Sequence, residues 1–173
     1  MRRSGIAAAS LLIATGTFGA YTYFRSDQPS GLAANEAVVT RVVDGDTIVV
    51  RINGKSETIR FIGIDTPETV KPGAPVGCFG PEASNYTKSL LHKGDVVELM
   101  RDVEARDQCE RLLAYVYRAS DELFVNMDLV VNGMAIAKKF PPNTAFASQF
   151  EAAAAVAERN NTGLWGACPS PSE

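Results

Sequence analysis

The sequence predicts an α+β protein: a five-stranded OB-type β-barrel with three helices, preceded by an N-terminal hydrophobic segment. Three observations predict it. Segments rich in β-branched residues fall in the order three strands, one helix, two strands, then two helices, which is the element order of a five-stranded OB barrel with helices packed on it. Asn53-Gly54, between two such segments, is the strongest short-range signal for a tight hairpin. The chain has 173 residues, of which 46% are hydrophobic and 21% charged, enough for one core plus a tail.

Taken in order, Ala37–Val43 predicts the first strand, Asp44-Gly45-Asp46 a turn in which Gly45 supplies positive φ, and Thr47–Ile52 the second strand. Ser56–Ile64 predicts the third. A loop with Pro67, Pro72, Gly73, Pro75 and Gly77 follows. Pro81–Leu91 predicts a helix, with proline in its first turn and Gly94 just past its end. Asp95–Met100 and Leu112–Tyr117 predict strands four and five. Phe124–Met134 and Thr144–Asn160 predict two more helices, the last stopped by Gly163. Trp165 reads as a core plug closing that last helix.

The N-terminus reads as a separate unit. Arg2 and Arg3 precede Gly5–Phe24, a stretch without charged residues that is about long enough to span a bilayer. Residues 1–24 read as either a signal peptide or a membrane-anchor helix. Under both readings the arginines stay in the cytoplasm and the rest is exported, secreted or membrane-anchored. Residues 25–36 form a polar linker, 37–168 the working domain and 169–173 a tail.

The net charge is -3. Arg2, Arg3, Arg25 and Asp27 together contribute +2, so the exported part carries -5. Such a chain does not coat nucleic acid by bulk electrostatics, and any phosphate affinity must be local. The three cysteines, Cys78, Cys109 and Cys168, match no zinc or redox spacing. Export permits one disulfide, leaving one thiol over.

Chemistry concentrates around two turns. Alone, Asp44-Gly45-Asp46 is an ordinary turn. Asp65, however, ends an apolar strand where side chains emerge at a barrel rim, and Pro67 stiffens the exit so that Thr66 and Glu68 keep a fixed relation to it. Asp46 and Asp65, converging from adjacent strand ends with a backbone carbonyl between them, suit a hard cation that prefers oxygen ligands. His92 is the only histidine, so no imidazole cage competes. Arg60 and Arg111 each read alone as surface arginines. Beside a carboxylate-bound cation they read as a phosphate clamp, because a planar guanidinium bonds two phosphate oxygens at once.

These residues carry a resemblance. Val43-Asp44-Gly45-Asp46-Thr47, the run Arg60 to Thr69, Phe79-Gly80-Pro81-Glu82-Ala83-Ser84, Arg111 to Tyr117, Pro141-Pro142-Asn143-Thr144 and Gly163-Leu164-Trp165 resemble, in family order, the thermonuclease (staphylococcal nuclease-like) family. The resemblance implies calcium held by Asp46, Asp65 and the Thr66 carbonyl. It implies Arg60 and Arg111 on the scissile phosphate, and Glu68 as general base on the attacking water. The implied activity is calcium-dependent, endonucleolytic hydrolysis of DNA and RNA leaving 3′-phosphates. The chain is expected to act as a monomer, and its apolar stretch, residues 5–24, is where membrane contact is expected. The resemblance also implies a Cys78–Cys168 disulfide, as in exported relatives. The alternative reading is a non-catalytic OB-type module that binds nucleic acid or protein.

The sequence departs from the family in two places. Asp107-Gln108-Cys109-Glu110-Arg111 replaces a pattern with an aromatic residue and a glycine, so Glu110 puts a negative charge beside a phosphate-binding arginine. The tyrosines that contact nucleotide in the family fall near Ala137 and Lys139, with Phe140 adjacent. Phe140 and Lys139 are therefore the candidates for substrate contact, and weaker nucleotide binding is expected, since each stacked base contributes about 1–3 kcal/mol.

Overall fold

The computed structural model describes residues 35–69 and 76–169. The expected leader and most of the linker lie outside the described residues, as does nearly all of the tail. Among the described residues no helix is long and apolar enough to cross a membrane.

Strand β1 (Glu36–Asp44) runs antiparallel to β2 (Thr47–Ile52), with Asp44 opposite Thr47 across the turn. β2 pairs antiparallel with β3 (Lys55–Phe61), and Ile52 faces Lys55 across the predicted hairpin. Asn53 (φ 50°) and Gly54 (φ 79°) both adopt left-handed conformations there, as a two-residue turn matched to strand twist requires.

The predicted third strand stops earlier than its apolar run suggests. Gly63 turns at φ 82°, and its missing side chain leaves room for the Phe150 ring. The run resumes as β4 (Ile64–Asp65), which pairs not with the barrel but with β8 (Ile136–Ala137).

Helix α1 (Gly80–Leu90) carries Pro81 in its first turn and ends before Gly94 (φ 100°). β5 (Val96–Met100) pairs with β1 and with β6 (Leu112–Arg118). Parallel pairing of β3 with β6, Arg60 opposite Leu113, closes the five-stranded barrel. A short β7 (Leu123–Phe124) extends this sheet beside β6.

Helix α2 (Val125–Val131) is shorter than predicted because Gly133 (φ 63°) turns the chain against the Thr162 carbonyl. Helix α3 (Ala147–Arg159) starts three residues late, and the Ala145 N–H in the turn before it donates to Asp102 at 3.0 Å. A one-turn helix, α4 (Leu164–Ala167), follows; it was not predicted.

The core fills the barrel with Ile48, Val50, Ile59, Phe61 and Val116, all fully buried. Phe124, Phe146 and Phe150 surround Tyr115 where the helices dock, with ring centroids 4.7–6.3 Å from it. Each buried apolar side chain of this size contributes about 1.5–3 kcal/mol. The Tyr115 hydroxyl donates to Asp102 at 2.9 Å, so the phenol is buried without an unmet polar group. Cys78 and Cys168 are joined in a disulfide that ties the α1 entrance to the chain after α4, while Cys109 is a free, exposed thiol.

Candidate active site

The site lies where the β1–β2 turn meets the chain leaving β4. Asp44 ties the two together. Its carboxylate accepts the Gly45 N–H at 2.9 Å, the Thr69 hydroxyl at 2.6 Å and the Thr69 N–H at 3.2 Å. Gly45 is required for a different reason from the one expected. Its φ is not positive; instead a Cβ there would sit 2.8–2.9 Å from the Thr66 side chain. The close approach brings Thr66 to Asp46, whose Oδ2 accepts the Thr66 N–H at 2.9 Å and the Thr66 hydroxyl at 3.0 Å.

Arg60, on β3, is 6% exposed. Burying a guanidinium is costly unless every donor is met. Here Nη1 reaches the Phe61 and Ile64 carbonyls at 3.1 Å and Asp46 Oδ2 at 3.0 Å, while Nη2 donates to Asp65 Oδ1 at 2.5 Å. Its charge also lies 5.3 Å from the centre of the Phe140 ring. Burial pushes the Asp46 carboxyl above its ordinary range, opposed chiefly by the Arg60 charge. An ionised Asp46 therefore depends on a nearby cation.

Arg111, just before β6, is held by Asp107: its Nε donates to Oδ2 at 2.7 Å and its N–H to Oδ1 at 3.0 Å. Desolvation works against the ionised Asp107, but these hydrogen bonds outweigh it and hold the carboxyl below its ordinary range. Asp44, Asp46, Thr47, Arg60, Asp65, Thr66, Glu68 and Arg111 line one cleft of about 130 Å³. The six residues singled out in the sequence thus share a single concavity.

The two candidate substrate contacts are placed differently. Phe140 lies at the site but gives its ring to Arg60 and Lys138, so it is engaged by protein cations rather than standing free as a stacking platform. Lys139 points away, pairing with Glu151 at 2.7 Å. The cause is alternation: neighbouring side chains leave an extended segment on opposite faces. Lys138 takes the position facing the cleft, with Nζ 2.6 Å from Asp65 Oδ2.

Sequence reasoning missed two contributors, Asp44 and Asp107, and chose Lys139 over Lys138, either of which could steer phosphate. The signal for Asp107 was its position four residues before Arg111, and Asp44 lay in a turn already singled out. Lys138 had no signal separating it from its neighbour.

Among the described residues no three His, Cys, Asp or Glu side chains converge as a metal cage. The candidate donors are instead the Asp46 and Asp65 carboxylates, both hard oxygen, with Thr66 lining the same cleft. They fit a calcium or similar ion: Asp46 is a buried carboxylate that needs positive charge, and Asp65 shares its cleft.

Fold and cleft together define a class: OB-type barrels that concentrate carboxylates and guanidinium groups at one rim. Comparison with known proteins narrows it. Residues 58–167 match the family described as staphylococcal nuclease homologue. A thermonuclease of Staphylococcus intermedius is 39% identical over 150 residues, covering 84% of this chain and 88% of the relative. A thermonuclease of Staphylococcus hyicus is 42% identical over 134 residues, covering 76% and 78%. Endonuclease YncB of Bacillus subtilis (strain 168) is 38% identical over 126 residues, covering 72% and 59%. The chain belongs to the thermonuclease family, a family of hydrolytic nucleases.

Proposed function

We propose that this protein is an exported, calcium-dependent endonuclease that hydrolyses DNA and RNA and leaves 3′-phosphates. The observation that carries the reading is the one cleft lined by Asp46, Arg60, Asp65, Thr66, Glu68 and Arg111. A Cys78–Cys168 bridge fits an oxidising compartment, which supports export by either form of the N-terminal segment.

Asp46, Asp65 and the Thr66 carbonyl hold the ion in this reading. When bound, calcium supplies positive charge against the phosphoryl oxygens. The chain's own residues do the rest. Arg60 and Arg111 are each held at the cleft by carboxylates, which limits the reorientation their guanidinium groups need to meet the scissile phosphate. Glu68, in the same cleft, orients a water and accepts its proton as oxygen attacks phosphorus. The bond from phosphorus to the 5′-oxygen breaks, and that oxygen leaves as a hydroxyl after gaining a proton. Acid–base assistance of this kind contributes typically 10²–10⁴-fold. The charge developing on the phosphate meets the two guanidinium groups, usually the largest single contribution.

The test is to incubate the purified protein with single-stranded DNA and with RNA, in calcium and in chelator, and to analyse the ends. Cleavage restored by calcium, with 3′-phosphate termini, is the expected result. No cleavage in calcium across neutral and mildly alkaline pH refutes the reading.

A further inference from the structure

Both oxygens of Asp65 already face a cation, Arg60 on Oδ1 and Lys138 on Oδ2 at 2.6 Å. The lysine is delivered there by the backbone. β8 pairs Ile136 with Asp65 and Ala137 with Ile64, and the next residue donates its N–H to the Gly63 carbonyl at 2.9 Å. The segment is therefore stitched along β4, and Lys138 leaves it on the face of Asp65. Lys139, one residue on, turns to Glu151.

The two cations on Asp65 are not equally held. Arg60 has a side chain 7% exposed, bonded to two carbonyls and to Asp46 besides Asp65. Lys138 has a side chain 51% exposed, and its other contact is the Phe140 ring, 5.9 Å from Nζ. A divalent ion that takes an Asp65 oxygen meets less resistance by displacing the lysine than by moving the buried arginine. Lysine is suited to release, being a strongly hydrated point charge on a flexible four-carbon stem.

We propose that Lys138 is a built-in counter-cation of Asp65, displaced when a divalent metal binds, and that it thereby sets the metal affinity of the site. The proposal rests on the reading of Asp65 as a metal ligand. In the metal-free protein Lys138 offsets the charge of Asp65, and two positive charges competing for one carboxylate weaken the binding of each. Because the lysine is half exposed and screened, the effect is moderate: removing its charge tightens calcium binding roughly threefold to tenfold.

The adjacent Lys139 provides the control, since its removal changes net charge equally but touches no cleft carboxylate. Calcium affinity is measured by titration calorimetry on the wild type, Lys138→Gln and Lys139→Gln. The expected result is tighter binding for Lys138→Gln alone. In parallel, the amine of Lys138 in the wild type is acylated and read by mass spectrometry; its rate rises on adding calcium while that of Lys139 does not. Equal affinity in all three proteins, or equal tightening in both variants, overturns the role of Lys138. Absence of calcium binding in all three instead refutes the metal reading on which it depends.

Discussion

Substituting Asp107 by Asn tests how Arg111 is brought to the cleft. Asp107 accepts three hydrogen bonds: from Arg111 Nε at 2.7 Å, from the Arg111 N–H at 3.0 Å and from the Cys109 N–H at 2.9 Å. An asparagine keeps an oxygen for the two backbone donors but loses the charge that fixes the guanidinium. The Arg111 side chain is 36% exposed and that of Asp107 19%, so the pair's full charge-assisted strength does not apply. Screening reduces it to about 1 kcal/mol, or roughly fivefold in rate, and freeing the guanidinium adds a loss of alignment. Asp107→Asn should therefore lower kcat on single-stranded DNA by about fivefold to tenfold, with little change in melting temperature. Asp107→Ala also removes the acceptor of the two backbone N–H groups and should destabilise the fold by about 1–3 kcal/mol. Steady-state kinetics and urea unfolding of both variants separate the effects. The opposite result, a higher kcat or a lower KM in Asp107→Asn, would show that Asp107 competes with phosphate for Arg111 instead of presenting it.

Three further outcomes follow from the geometry. Glu110 sits at φ 62°, a conformation that costs a residue with a side chain about 1–2 kcal/mol, so Glu110→Gly should stabilise the protein by roughly 0.5–1 kcal/mol in urea. It should also tighten phosphate binding by removing a negative neighbour of Arg111; lower stability would refute the strain argument. The Cys78–Cys168 bridge spans 90 positions, so reduction should cost roughly 4 kcal/mol, measured by denaturation with and without reductant. Burial raises the Asp46 carboxyl above its ordinary 3.8, so the folded, metal-free chain binds a proton there that the unfolded chain releases. Its contribution to stability accordingly falls as pH rises from that value through the folded one, and calcium, by holding the ionised form, should flatten the slope. Unfolding at a series of pH values, wild type less Asp46→Asn, reads this contribution.

Much of the barrel was legible because its signals are local. β-branched runs and the Asn53-Gly54 turn specify β1 to β3 without help from the rest of the chain. The break after Phe61 was not, since residues 61–64 are continuous in hydrophobicity and the turn at Gly63 depends on the Phe150 ring from a distant helix. β4 and β8 are two residues each and exist only as partners, so neither carries a pattern of its own. The same limit explains the lysines. Lys138 and Lys139 are identical in sequence terms, and only the β8 register decides which one faces Asp65. Asp46 and Asp65 were legible as a pair because Asp46 lies in the β1–β2 turn, just before β2, and Asp65 ends the apolar run that begins in β3. Asp107 was visible only through its place four residues before Arg111, and its hold on Arg111 required the loop conformation.

The account stands on Asp46, Arg60, Asp65, Glu68 and Arg111 acting as one hydrolytic site, and Glu68→Gln tests this most directly. The exchange keeps the side chain's shape and removes its proton acceptor. Turnover of single-stranded DNA at saturating calcium should fall by about 10²–10⁴-fold, with melting temperature and DNA affinity retained. Turnover within a few-fold of the wild type would contradict the account, and would leave the cleft as a binding surface.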